Sequence, residues 1–101
     1  MIINGIESRL LALAGVEKDG DSAYEVEGHE FVKQTAPGEI QLYLTEACRK
    51  KLATALRSEP RASFENSPEG WVTLRYKDDV DLEFIFLYVR YSWKFLRADL
   101  T

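Results

Sequence analysis

The sequence predicts an α+β domain of two layers, an antiparallel sheet packed on helices in the order α-β(3)-α-β(2)-α. Three observations carry that reading. Between Tyr24 and Leu44 apolar and polar residues alternate, with turn-forming pairs interrupting the run. From Thr45 to Arg57, and again from Val80 to Leu100, apolar residues recur at the period of a helix. Between these stretches Gly70-Trp71-Val72-Thr73 opens another strand behind a loop dense in turn formers.

The elements follow in order. Asn4 and Glu7 have the spacing of a capping box, and Ile3, Ile6, Leu10, Leu13 and Ala14 recur at helical spacing until Gly15, which predicts a short first helix. Glu17 to Asp21 reads as a polar turn. Tyr24 and Val26 alternate with Glu25 and Glu27 in a first strand, Gly28-His29 allows a reversal, and Phe31 and Val32 centre a second strand. Pro37-Gly38 suits the middle of a type II turn and leads into a third strand with Ile40, Leu42 and Leu44 on one face. Thr45 begins a helix that gathers Cys48, Leu52, Ala55 and Leu56, and Pro60 ends it. Arg61 to Glu65 is a fourth strand anchored by Phe64, and Trp71 to Tyr76 is the last.

The final segment has two apolar faces. Val80, Phe84, Leu87, Tyr88, Tyr91, Phe95 and Ala98 share one; Leu82, Ile85, Phe86, Val89, Trp93, Leu96 and Leu100 share the other, with Glu83, Arg90, Lys94 and Arg97 as a charged stripe. Phe84 to Val89 also favours a strand. Asp78 or Asp79 as an N-cap, and basic residues toward the end, favour the helix. The sheet is expected to cover Val80, Phe84, Leu87 and Tyr91, so that these, with Trp71 and Leu42, form the core. The opposite face, Leu82, Ile85, Phe86, Val89 and Trp93, is then left for the first helix, a second copy of the chain, a ligand or a protein partner, with Phe86 and Trp93 as anchors.

At 101 residues the chain is one domain, 46% hydrophobic and 30% charged. A net charge of −4 argues against general affinity for nucleic acid, which draws on a surplus of Lys and Arg. The single cysteine, Cys48, cannot close an internal disulfide. Met1 to Glu7 lacks a basic leader, and charges interrupt the C-terminal apolar segment, so neither a signal peptide nor a membrane span is expected; the reading is a cytoplasmic protein.

The element order is similar to that of the type III secretion chaperones and the MmcQ/YjbR proteins. More locally, Glu30-Phe31, the run Ser67-Pro68-Glu69-Gly70-Trp71-Val72-Thr73, Asp79-Val80, and Leu87 through Tyr91 resemble the small bacterial luciferase-domain family, over Val16 to Phe95. That family is expected to carry histidines after the second strand and before the Gly-Trp strand. Here those regions read Thr35-Ala36-Pro37-Gly38-Glu39 and Arg61-Ala62-Ser63-Phe64, so the resemblance implies no light-emitting or oxidative chemistry for this chain.

Candidate sites are few. His29 and Cys48, the only residues of their kinds, could form a nucleophile pair, but a turn histidine and a core thiol describe them more simply. One His and one Cys do not make a metal site, and no cofactor motif is present. Asp78, Asp79 and Asp81 could attract a cation, though capping accounts for them. Arg49, Lys50, Lys51, Arg57 and Arg61 form the one basic cluster, able to contact phosphates while Trp71 or Tyr76 stacks bases; a solvated helix face is the competing reading. The expectation is a non-enzymatic module that binds a protein partner or itself. The alternatives are a weak nucleic-acid binder of YjbR-like type, then an enzyme of luciferase-domain type.

Overall fold

The computed structural model describes residues 7–65 and 67–100. Helix α1 (Glu7–Leu11) leads into strands β1 (Val16–Asp19), β2 (Ala23–Val26), β3 (His29–Ala36) and β4 (Glu39–Tyr43); next come α2 (Glu46–Arg57), β5 (Ala62–Ser63), β6 (Trp71–Arg75) and α3 (Asp79–Leu100). The six strands form one antiparallel sheet in the order β1-β2-β3-β4-β6-β5. Helix α3 lies across β2, β3 and β4, α1 packs on β1, and α2 packs beside α3. This is the expected α+β class, with one strand more before α2. The expected residues Ile3, Asn4 and Ile6 of the first helix lie outside the described residues.

The added strand is β1. Glu17, Lys18 and Asp19, expected as a turn, pair with Glu25, Tyr24 and Ala23, and only Val16 of the four is buried. A strand at the rim of a sheet has little apolar surface to hide, so it carries no alternation to recognise. The β2–β3 corner falls at Glu27 and Gly28, with φ of 51° and 84° as a two-residue type I′ hairpin requires, and His29 opens β3. Gly38 has φ 74°, in keeping with the turn expected at Pro37-Gly38. Thr45 caps α2 by accepting the Cys48 amide at 3.1 Å. Asp78 caps α3 by accepting the Asp81 amide at 3.0 Å, and Phe84 to Val89 is helical.

The two faces of α3 are exchanged relative to expectation. Ile85, Val89 and Leu96 are buried with Phe31, Ile40, Leu42 and Leu74, whereas Val80, Phe84, Leu87 and Tyr91 are exposed and Trp71 is half-buried. The charges decide this. At about 100° per residue, Glu83, Arg90 and Lys94 lie within roughly 60° of Leu87, on its side of the helix and not midway between the faces. Leaving those ions in water leaves the Leu87 stripe there too, while the branched side chains Ile85 and Val89 settle on the sheet.

Candidate functional site

Leu82, Ile85, Phe86, Val89 and Trp93, the residues expected at an interface, belong to the interior of this single chain. Ile85 and Val89 are fully buried, Phe86 is 6% exposed, and Leu82 and Trp93 are half-buried. The first-helix region supplies the cover: the Arg9 guanidinium lies 4.2 Å from the Phe86 ring centroid, and the Trp93 indole N–H donates to the Ala14 carbonyl at 2.9 Å. The Ser92 hydroxyl donates to the Tyr43 carbonyl, tying the same face to β4.

What faces outward on α3 is Val80 (61% exposed), Phe84 (45%), Leu87 (52%) and Tyr91 (40%). These positions step by four, three and four residues, and the series continues through exposed Lys94 and Ala98. That is the spacing of a seam between two helices. Leu87, Arg90, Tyr91 and Lys94 border a shallow recess of about 280 Å³. At the N-terminal end the Arg61 guanidinium lies 4.6 Å from the Phe84 ring centroid, and Glu83 is paired with Arg9 at 2.9 Å.

The basic cluster does not assemble as one patch. Arg61 is clasped by Asp81 at 2.5 Å and Glu59 at 2.8 Å, and Glu59 also accepts the Tyr88 hydroxyl at 3.1 Å. Hydrogen bonds from Arg61 and the Lys77 amide hold the Asp81 carboxyl below its ordinary range. Burial pulls Glu59 upward, but its bonds to Arg61 and Tyr88 leave it below its ordinary value. Lys50 is paired with Glu46 at 3.3 Å, and Lys51 lies on the side of α2 away from Arg49. Only Arg49 and Arg57 come together, on one wall of a groove of about 400 Å³ closed on its far side by Ala62 to Phe64. Arg49 and Phe64 continue into a smaller recess of about 220 Å³ bordered by Pro68, Gly70 and Trp71.

The expected base-stacking side chains have other company. Trp71 packs edge-on against Tyr43 at 5.5 Å with the Lys33 ammonium 4.4 Å from its ring centroid, and the Tyr76 hydroxyl accepts from Gln34. His29 sits against the Tyr43 ring at 5.7 Å, while Cys48 is sealed in the core. Burial pushes the Cys48 thiol up to about 11, so labelling of the folded protein by a thiol reagent at pH 7.5 should proceed at least about 100-fold more slowly than in the unfolded chain. Labelling at the rate of a free thiol would refute this placement. The Tyr24 hydroxyl is pushed above its ordinary range by burial and by the Glu7 carboxylate to which it donates.

Among the described residues no group of three or more His, Cys, Asp or Glu is arranged to hold a metal ion, and no helix is long and apolar enough to cross a membrane. Comparison of the chain with protein-family models, curated proteins and solved structures finds no match.

Proposed function

We propose that this chain is a non-enzymatic, self-associating module in which the outer stripe of α3 packs against α3 of a second copy running antiparallel. The observation that carries the reading is the exposed series Val80, Phe84, Leu87 and Tyr91, an apolar seam on a helix whose opposite side is already committed to the core. Charge selects the antiparallel sense. The residues flanking the seam are acidic near its start, at Glu83, and basic farther on, at Arg90 and Lys94. A two-fold axis beside Leu87 brings Glu83 of each copy, which pairs with Arg9 of its own chain, within reach of Arg90 of the other, so that Glu83 is shared between the two arginines in the closed, self-complementary contact usual for homodimers. In a parallel pair Lys94, which continues the seam, would instead meet its own copy.

The phosphate-binding alternative has weaker support, because Arg61 and Lys50 are engaged by carboxylates. The proposed kinship with the luciferase-domain group rests on Glu30-Phe31, within β3, on the run from Ser67 into β6, and on Asp79-Val80 and Leu87 through Tyr91, within α3; it supplies no catalytic residue here. A cytoplasmic location fits a chain whose one cysteine is buried and unpaired.

Sedimentation equilibrium tests the reading. The protein is expected to dimerise at micromolar to submillimolar concentration, and Leu87→Glu, at the centre of the seam, is expected to weaken the dimer by about 100-fold while leaving circular dichroism and melting of the monomer unchanged. A wild-type chain still monomeric at about 1 mM refutes it.

A further inference from the structure

The groove between α2 and β5 shares no lining residue with the α3 seam, so an occupant of the groove neither requires nor excludes self-association through that seam. We propose that the groove binds an extended acidic peptide that adds as a strand to the free edge of β5, its carboxylates on Arg49 and Arg57.

The main-chain part of the argument comes from the ladder. Strand β5 is the terminal strand of the sheet. The Arg75 amide donates to the Arg61 carbonyl at 2.8 Å, and Ser63 stands opposite Thr73. Antiparallel pairing alternates, so the Arg61 carbonyl and the backbone groups of Ser63 turn to β6; the Arg61 amide donates to the Glu59 carboxylate and the Ala62 amide to the Glu59 carbonyl, while the Ala62 carbonyl and the Phe64 amide point away from the sheet. An added strand finds an acceptor and a donor there, which is the basis of strand addition to sheet edges.

The side-chain part comes from α2. Arg49 and Arg57 lie eight residues apart on the face that borders the groove, with Ala53 and Leu56 between them. Among the described residues neither arginine has an ion pair, whereas Arg9, Arg61 and Arg75 each do. Opposite them the Phe64 ring is 50% exposed, an apolar surface with unoccupied space beside it.

Spacing then fixes the peptide. Eight helical residues rise about 12 Å, the span of roughly four residues of extended chain. Residues four apart in a strand point the same way. The motif is therefore an acidic residue, any residue, an apolar residue, any residue and a second acidic residue, with the apolar side chain set between Phe64 and the Ala53-Leu56 floor. A nucleic-acid strand suits the groove less well: it would match the two cations but leave the β5 edge unpaired.

The test is fluorescence anisotropy with the full chain and a labelled nonapeptide built on Glu-Thr-Leu-Thr-Glu. Saturable binding is expected, weaker by at least about tenfold for an isomeric peptide with adjacent glutamates, and by a similar factor for the Arg49→Gln/Arg57→Gln variant, whose melting temperature should be unchanged. Hydrogen exchange of the Phe64 amide should slow when the peptide binds. Absence of saturable binding up to about 1 mM, equal affinity for the isomeric peptide, indifference to the arginine variant or tighter binding of oligo-dT would each overturn the proposal.

Discussion

Replacing Ile85 with alanine is expected to lower the unfolding free energy by about 2–5 kcal/mol, while the same change at its neighbour Phe84 should cost less than about 1 kcal/mol. Ile85 is fully buried between α3 and the sheet, so truncation leaves a cavity in addition to the lost transfer energy. Phe84 is the larger side chain, yet it is 45% exposed, with the Arg61 guanidinium 4.6 Å from its ring centroid. Size alone predicts the opposite order. Urea denaturation at a concentration low enough to keep the chain monomeric measures both, and a larger cost at Phe84 would mean that the helix presents its other face to the sheet.

Phe31→Ala should be still more damaging, at about 3–5 kcal/mol, which for a domain of this size lowers the melting temperature by roughly 12–40 °C. Pairing of β3 with β2 passes from Val32 opposite Tyr24 to Glu30 opposite Glu25, so Phe31 is the extra residue of a bulge, and its ring is fully buried. A bulge residue lacks the regular ladder to hold it and is fixed by what its side chain fills. Melting followed by near-ultraviolet circular dichroism gives the answer. A loss under about 1 kcal/mol would show that the ring contributes little packing.

Where a structural decision is local, the sequence displayed it. Thr45 could be read as the start of a helix because the hydroxyl that caps it reaches only three residues along the chain, and Pro37-Gly38 as a turn because the positive φ at Gly38 suits glycine. Strand β1 was hidden since Glu17 to Asp19 owe their conformation to β2 and not to any pattern of their own. The orientation of α3 was legible in principle: Glu83, Arg90 and Lys94 share the side of Leu87, a bias that two nearly equal apolar stripes conceal. The fate of the basic cluster was not legible, because the partners of Arg61 include Asp81, twenty residues further on and on another element. Likewise the spacing of Arg49 and Arg57 shows in the sequence, but the β5 edge facing them is a product of the tertiary fold.

The strand order also sets a sequence of events for a growing chain. Strands β1 to β4 lie side by side in the order in which they are synthesised, so each hairpin can close as soon as its second strand appears. Only β6 must travel past α2 to find β4, and α3, lying across β2, β3 and β4, completes the cover of the apolar face that Ile40, Leu42 and Leu74 help to form. A nascent chain that has made β6 but not α3 therefore displays a nearly finished sheet with its oily side open to solvent. The interval before α3 docks is when a chaperone would have most to hold and when aggregation would compete best with folding.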